Sequence, residues 1–231
     1  MKTVIKQICP PIVLSGVKRL RSRVSNATAK VRSSAVQDLE VYWDPAMASA
    51  LEVWGEGNAW TDIQLLMAGR RGKALDIACG TGKVMEILGK TTQLEIHGCD
   101  ISDLLISRAQ QRGLFAQRLS VQDATKMNYA DKMFDFAYSI GSLEHFTEDG
   151  IAKFMAECLR TVKGPTFHMV PMSRKDIDEG WITTSQSYFN NSAAWWRAKC
   201  LAVYPAVEFL PSTWSDGISV GVWMMCLPQN R

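Results

Sequence analysis

Four short stretches of this chain carry side chains suited to a single ligand. In Ala74-Leu-Asp-Ile-Ala-Cys-Gly-Thr-Gly-Lys83, Asp76 stands near the end of an apolar run, and the small turn Ala78, Cys79, Gly80, Thr81, Gly82 follows. Lacking a Cβ, Gly80 and Gly82 let backbone come close to a bound nucleotide. Asp100, followed by Ile101, closes Ile96-His-Gly-Cys-Asp100; Asp123, followed by Ala124, closes Val121-Gln-Asp123. A carboxylate at the first of these positions accepts both hydroxyls of a ribose. At the second, a carboxylate beside a backbone amide accepts the exocyclic amine of adenine, while the amide donates to a ring nitrogen. Asp76 can help to hold an ammonium. The fourth stretch, Ser139-Ile-Gly-Ser-Leu-Glu-His145, adds a hydroxyl and a histidine. Each acid alone also suits a helix N-cap. In this order they describe a site for an adenosine with a cationic head.

The elements that must position these residues alternate. Strands are expected at Ala74–Ile77, Glu95–Cys99, Leu119–Gln122, Phe134–Ser139 and Thr166–Val170, with helices at Lys83–Leu88, Ser102–Arg112 and Gly150–Thr161. Such alternation implies right-handed crossovers and a parallel sheet covered on both faces. The expected fold is a doubly wound α/β domain, whose ligands bind at the carboxyl ends of the strands. Upstream, Ala46–Val53 and Asn58–Met67 have helical apolar spacing, broken at Asp44-Pro45 and Trp54-Gly-Glu-Gly57. Aromatics crowd this region, and Tyr42 and Trp54 are candidates for a lid over the glycine turn.

A dinucleotide site asks for Gly-x-Gly-x-x-Gly, and position 85 here is Met. The acid at 123 serves a single adenosine better than a dinucleotide. Through those residues the stretch 73–170 resembles a class I S-adenosylmethionine-dependent methyltransferase. Leu75-Asp-Ile-Ala-Cys-Gly-Thr-Gly82 is similar to that family's first motif, with Ala78 where glycine is commoner. The resemblance implies S-adenosyl-L-methionine as cofactor and S-adenosyl-L-homocysteine as product. It also implies a seven-stranded sheet with its last strand antiparallel, which Ile218–Cys226 suits. The organisation expected is a basic extension over 1–35 and one methyltransferase domain over 36–231. Within that domain, 36–72 forms a helical cap and 171–216 a substrate-side insertion.

A sulfonium methyl is already activated, so catalysis chiefly requires alignment of the acceptor and exclusion of water. An alcohol acceptor must also lose a proton, which calls for a general base. His145, just past the fourth strand, is the first candidate, and Glu144 beside it the alternative; no ligand cluster suggests a metal. The acceptor should be decided by 171–216, where amides, acids and aromatics interleave. Arg174, Asp178, Glu179, Trp181, Gln186 and Asn190 are the candidate substrate residues, in a mixture that suits a carbohydrate. The expected reaction is therefore O-methylation of a sugar hydroxyl in a glycan or precursor. Methylation of another small metabolite at oxygen or nitrogen, and a non-catalytic binding partner, stand as alternatives.

The bulk numbers narrow the setting. At 231 residues, 47% hydrophobic and 21% charged, the chain has material for one large core. Six scattered cysteines fit neither a zinc site nor a disulfide scaffold, which points to a reducing cytoplasm. Residues 1–37 hold eight basic residues and no acid, so the net charge of +3 leaves an acidic body. That argues against a nucleic-acid partner. Residues 1–23 pair apolar clusters around Pro10-Pro11 with a basic run, as a peripheral contact with an anionic membrane surface would. A Pro-Pro basic tail on this body resembles methyltransferases of bacterial surface-polysaccharide assembly, which implies the cytoplasmic face of the inner membrane.

Overall fold

The computed structural model describes residues 36–113, 116–183 and 186–228. The tail expected to meet a membrane lies outside them. Strands β1 (Arg71–Ile77), β2 (Gln93–Asp100), β3 (Leu119–Val121), β4 (Phe136–Ile140) and β5 (Thr166–Ser173) run parallel. A short hairpin, β6 (Trp181–Thr183) and β7 (Ser187–Phe189), stands apart, and β8 (Ala206–Ser215) and β9 (Ser219–Leu227) complete the main sheet. Its order among the described residues is β3-β2-β1-β4-β5-β9-β8, with β9 antiparallel to both neighbours. The last strand is therefore the reversed one, inserted beside β5.

Helices α1 (Pro45–Ala50), α2 (Ala59–Met67), α3 (Lys83–Thr91), α4 (Asp103–Gln111), α5 (Glu148–Thr161) and α6 (Ala193–Leu201) cover the sheet. Alternation along the strands divides the core. Leu75, Ile77, Val170 and Met172 face α5 and α6 through Phe154, Cys158 and Trp196. Ala74, Phe167 and Met169 face α2 and α3 through Ile63, Met67, Met85 and Leu88. All eight residues of β5 are buried, as expected of a strand covered on both faces.

Helix starts follow the side chains available. Asp44 caps α1 with Pro45 at its first position, Ser102 caps α4, Thr147 caps α5 and Ser192 caps α6. Asp62 on α2 ties the upstream helices to the far edge of the sheet. It accepts from Ser212 Oγ at 2.6 Å, Thr213 N at 3.0 Å, Thr213 Oγ1 at 2.9 Å and Trp223 Nε1 at 3.2 Å. No helix among the described residues is long and apolar enough to cross a membrane.

The hairpin β6–β7 and the edge strand β8 are additions to the elements expected from sequence. The 171–216 stretch is consequently not one loop. It contains the end of β5, the hairpin, α6 and all of β8.

Candidate functional site

The cleft lies at the carboxyl ends of β1 to β4. A cavity of about 320 Å³ opens there, lined by the loops after those strands and closed by residues from Gln37 to Trp60. Of the residues singled out from sequence, Asp76, Ala78, Cys79, Gly80, Asp100, Ile101, Asp123, Ala124, Tyr42, Trp54 and Gln186 line it.

The turn after β1 is built by hydrogen bonds between strands. Cys79 N donates to Cys99 O at 2.9 Å, and Gly82 N to Cys79 O at 2.9 Å. Asp100 bridges two loops: Oδ2 accepts from Gly80 N and Oδ1 from Ser102 N, both at 2.9 Å. Each carboxylate oxygen keeps a second lone pair, so two ribose hydroxyls can still be accepted. Gly80 and Gly82 have φ of 54° and 72°, and Ala78 adopts 56° despite its Cβ. A left-handed residue other than glycine costs about 1–2 kcal/mol, so this backbone is held by its surroundings. Arg112, just past α4, locks the turn from outside. Its Nε donates to Thr81 O at 2.7 Å, and its guanidinium pairs with Glu86 of α3 and Glu52 of the cover.

Asp76 is buried, and its Oδ2 has no hydrogen-bond partner among the described residues. Burial pushes its carboxyl well above the ordinary range; the Tyr138 hydroxyl opposes this and the Asp100 charge adds to it. An orphaned carboxylate oxygen on a cavity wall is suited to an incoming cation. Asp123 stands exposed at the rim. Its Oδ1 accepts from Thr125 N at 2.8 Å and Thr125 Oγ1 at 2.7 Å, while Oδ2 makes no bond among the described residues. The donors and acceptors therefore fit S-adenosylmethionine: Asp100 for the ribose, Asp123 and the Ala124 amide for the adenine, Asp76 for the ammonium.

The cover is strapped to both sides of the cleft. Ser102 Oγ donates to Tyr42 O at 2.7 Å, and Trp43 Nε1 donates to Asp103 Oδ1 at 2.7 Å. On the other side, Gln186 Nε2 donates to the Tyr42 hydroxyl at 2.5 Å, and Ser187 N to Asp38 Oδ2 at 2.9 Å. Burial, with the charges of Glu144 and Asp100, pushes the Tyr42 hydroxyl above its ordinary range, so it stays protonated. Phe146, Thr147, Gly150 and Lys153 from the start of α5 also line the cavity, as do Gln37, Lys83 and Leu105. Sequence reading missed these; the capping pattern Thr147-Glu148-Asp149 beside the fourth strand was the available signal.

Several expected site residues fall elsewhere. Gly82 caps α3 behind the turn. Ser139 is fully buried and bonds His168 Nδ1 at 2.9 Å. His145, the first candidate base, does not line the cavity: its Nδ1 bonds Ser187 O at 2.8 Å and its ring meets Tyr188 edge-on. Burial lowers it to about 4, opposed by that carbonyl and by Asp38. Five of the six candidate substrate residues are engaged away from the cavity instead. Asp178 Oδ1 accepts from Ser192 N and Oγ, and Glu179 Oε2 accepts from Asn190 Nδ2 at 2.7 Å. Arg174 Nε donates to Asp216 O at 2.7 Å, and Trp181 packs on Phe189 in the hairpin. Only Gln186 reaches the cavity. Among the described residues no group of three or more His, Cys, Asp or Glu is arranged to hold a metal.

His168 carries a prediction of its own. It is fully buried between Ser139 and Thr166, and burial lowers it to about 3. Its folded value lies below the ordinary 6.5, so the unfolded chain takes the proton first. The stability it contributes is complete above pH 6.5 and falls with decreasing pH by about 1.4 kcal/mol per unit until about pH 3. Urea unfolding of His168→Gln at pH 7 and pH 5 should show a pH dependence smaller than wild type by about 2 kcal/mol. An unchanged difference would mean that His168 is not held neutral.

The sheet is doubly wound with a reversed last strand, and acids at the ends of β1, β2 and β3 face one cavity, which is the arrangement implied by the resemblance seen in the sequence. In agreement, residues 74–164 match the family described as "Methyltransferase domain", which covers β1 to α5 and the turn after it. "Methyltransferase GfsG" of Streptomyces halstedii is 31% identical over 127 residues, 52% of this chain and 45% of that protein. "O-methyltransferase resE" of Aspergillus sclerotiorum is 32% identical over 114 residues, 46% of this chain and 43% of that protein. The chain thus spans less than half the length of these curated relatives. A solved structure of similar fold is 1,6-didemethyltoxoflavin-N1-methyltransferase from Burkholderia thailandensis, with bound 1,6-didemethyltoxoflavin and S-adenosylhomocysteine. It has a TM-score of 0.63 and 15% identity, covering 89% of this chain and 98% of that one.

Proposed function

We propose that this chain is an S-adenosylmethionine-dependent methyltransferase acting on a hydroxyl of a small uncharged acceptor, with a sugar as the favoured class. One observation carries the cofactor half: the buried, unpartnered Asp76 Oδ2 shares a cavity wall with the Asp100 carboxylate, twenty-four residues along the chain and one strand away. The acceptor half rests on the cover side, where Gln37, Tyr42, Thr147 and Gln186 offer neutral polar groups beside Trp54 and Phe146. Rings that stack on C–H faces and neutral groups that bond hydroxyls suit a sugar, and the 174–190 acids no longer contribute to that reading.

The bound cofactor supplies an activated methyl on a sulfonium. This chain's residues do the rest. Asp100 fixes the ribose, Asp123 and the Ala124 amide fix the adenine, and Asp76 holds the ammonium, so the methyl is placed in one orientation. Tyr42 and Trp54 close the cleft and keep water from the reacting centre. Calorimetry should give a dissociation constant for S-adenosylmethionine below about 1 mM. Transfer of labelled methyl should then be found within a panel of nucleotide sugars, lipid-linked glycans and small phenols. Absence of cofactor binding would end this reading, and transfer to an amine alone would replace its hydroxyl half.

A further inference from the structure

The buried carboxyl of Glu144 has no assigned use. It sits in the 3-10 turn Leu143–His145 after β4, is 5% exposed, and its Oε2 has no hydrogen-bond partner among the described residues. It stands directly behind Gly141, which lines the cavity at φ 64°. A Cβ placed on Gly141 would lie 3.7 Å from Glu144 Oε1 and 3.3 Å from Trp54 Cη2. The bare α-carbon therefore leaves a gap between the carboxyl and the indole that forms the opposite side of the cavity. The oxygen facing this gap is Oε1; Glu144 stands behind the cavity wall, and an acceptor hydroxyl over Gly141 would approach that oxygen of the carboxyl.

We propose that Glu144, rather than His145, is the general base, taking the acceptor's proton across the gap over Gly141. This rests on the methyltransferase reading above. As the acceptor oxygen forms its bond to the methyl carbon, the carbon–sulfur bond breaks and its electron pair stays on sulfur. The hydroxyl proton passes to Glu144, leaving a methyl ether, a neutral thioether and a neutral carboxylic acid. His145 stands behind. Its Nδ1 faces the Ser187 carbonyl and so carries the ring hydrogen, which leaves the Nε2 lone pair 3.7 Å from Glu144 Oε1. That lone pair disfavours a carboxylate, and burial keeps His145 neutral, so the proton stays on Glu144 until product leaves.

The charge state of Glu144 couples the base to the cofactor. Without a cation nearby, burial pushes this carboxyl up to about 8, so it is largely protonated at pH 7. The titratable groups on the elements around it include Asp38 and Tyr42 of the cover, the adjacent His145, Tyr188 of β7, His168 of β5, and Glu148, Asp149, Lys153, Glu157, Cys158 and Arg160 of α5, with Arg160 paired to Glu157 and Asp131. None of these supplies a buried positive charge, since His168 is neutral and Lys153 is engaged by Asp149 at 2.6 Å. A cation brought within ~4–6 Å of a carboxyl lowers its titration by about one to three pH units. S-adenosylmethionine carries such a charge on sulfur and S-adenosylhomocysteine does not. Their ammonium and ribose are identical, so the proton effects of those two groups cancel between them, and Glu144→Gln separates Glu144 from any other carboxyl the sulfonium reaches.

The test measures proton release on binding. Calorimetric titrations of both ligands at pH 7, in two buffers of different ionisation enthalpy, give the number of protons released. Wild type should release at least about half a proton more with S-adenosylmethionine than with S-adenosylhomocysteine. Glu144→Gln, checked for folding by circular dichroism, should bind both ligands and lose that difference. A wild-type difference below about 0.2 proton, or one that survives in E144Q, overturns the proposal. Should E144Q fail to fold, the wild-type value decides alone. Failure of wild type to bind either ligand overturns the methyltransferase reading instead, so the two failures are distinguishable.

Discussion

Replacing Asp100 by alanine should weaken S-adenosylmethionine binding at least about a hundredfold. Asp100 accepts from two backbone amides, Gly80 N and Ser102 N, each at 2.9 Å. Both belong to loops that line the cavity, and the carboxylate is the link between them. Its removal leaves two donors to be satisfied by water and frees the glycine turn from the loop after β2. It also removes the acceptor for the ribose hydroxyls. Hydrogen bonds to a charged group contribute about 1.5–3 kcal/mol each, so losing two bonds to the ligand already exceeds a hundredfold. Asp100→Asn gives little relief, because its NH₂ group must face one of the two backbone donors. Asp123→Ala is the contrasting variant: its carboxylate is exposed at the rim and bonded only to Thr125, and its loss should cost less than about tenfold. Titration of the three variants with S-adenosylmethionine decides the matter. D100A within threefold of wild type would remove the ribose assignment.

Asp100 was legible because its neighbourhood is local. An apolar run that ends in an acid, before a capped helix, describes strand, loop and helix start together. The same pattern identifies Asp76 and Asp123, and it places the loops after β1, β2 and β3 around one cleft. The parallel half of the sheet follows from alternation, since each crossover is decided by residues near in the chain. The reversed last strand came from the family resemblance, and pairs with β5 from Thr166↔Cys226 to Ser173↔Ser219.

What could not be read depends on partners distant in sequence. Asp178, Glu179 and Asn190 have the composition of a ligand site, yet their partners lie eleven to fourteen residues away, within the same hairpin and α6 cap. A polar residue looks available until the groups that satisfy it are known. His145 misled for the same reason, because Ser187 O, forty-two residues on, holds its ring. β8 escaped notice because it alternates only weakly, carries Pro211 and lies at the sheet edge, where a missing N–H is tolerated. Tyr42 and Trp54 were placed at the cleft by the density of aromatics, but the straps that hold the cover there, from Asp38, Tyr42 and Trp43 to Ser187, Ser102, Gln186 and Asp103, are long-range choices.

Met85 is the residue whose meaning the fold changed most, and it supports a large and specific prediction. In a dinucleotide motif the third glycine lets helix and strand approach closely. Here that position holds a buried methionine, so the close approach must be made elsewhere. It is made on the strand. Gly98 of β2 lies under Met85, and a Cβ at Gly98 would stand 2.5 Å from Met85 Sδ and 3.0 Å from both Cys79 Sγ and Leu119 Cδ2. The strand cannot retreat, because Gly98 pairs with Asp76 on one side and Leu119 on the other. Gly98→Val should therefore displace α3 from the sheet and destabilise the fold by about 3 kcal/mol. Met85→Ala empties the same space and should cost about 3 kcal/mol as a cavity. The pair compensates: valine adds three heavy atoms to Gly98, and alanine removes three from Met85. The double variant should thus fall within about 1.5 kcal/mol of wild type, far from the sum of the singles. Because α3 begins at Gly82, the G98V single should also weaken S-adenosylmethionine binding, and the double should restore it. Urea unfolding and cofactor titration of all four chains give the coupling, and singles that simply add would mean that helix and strand do not share this space.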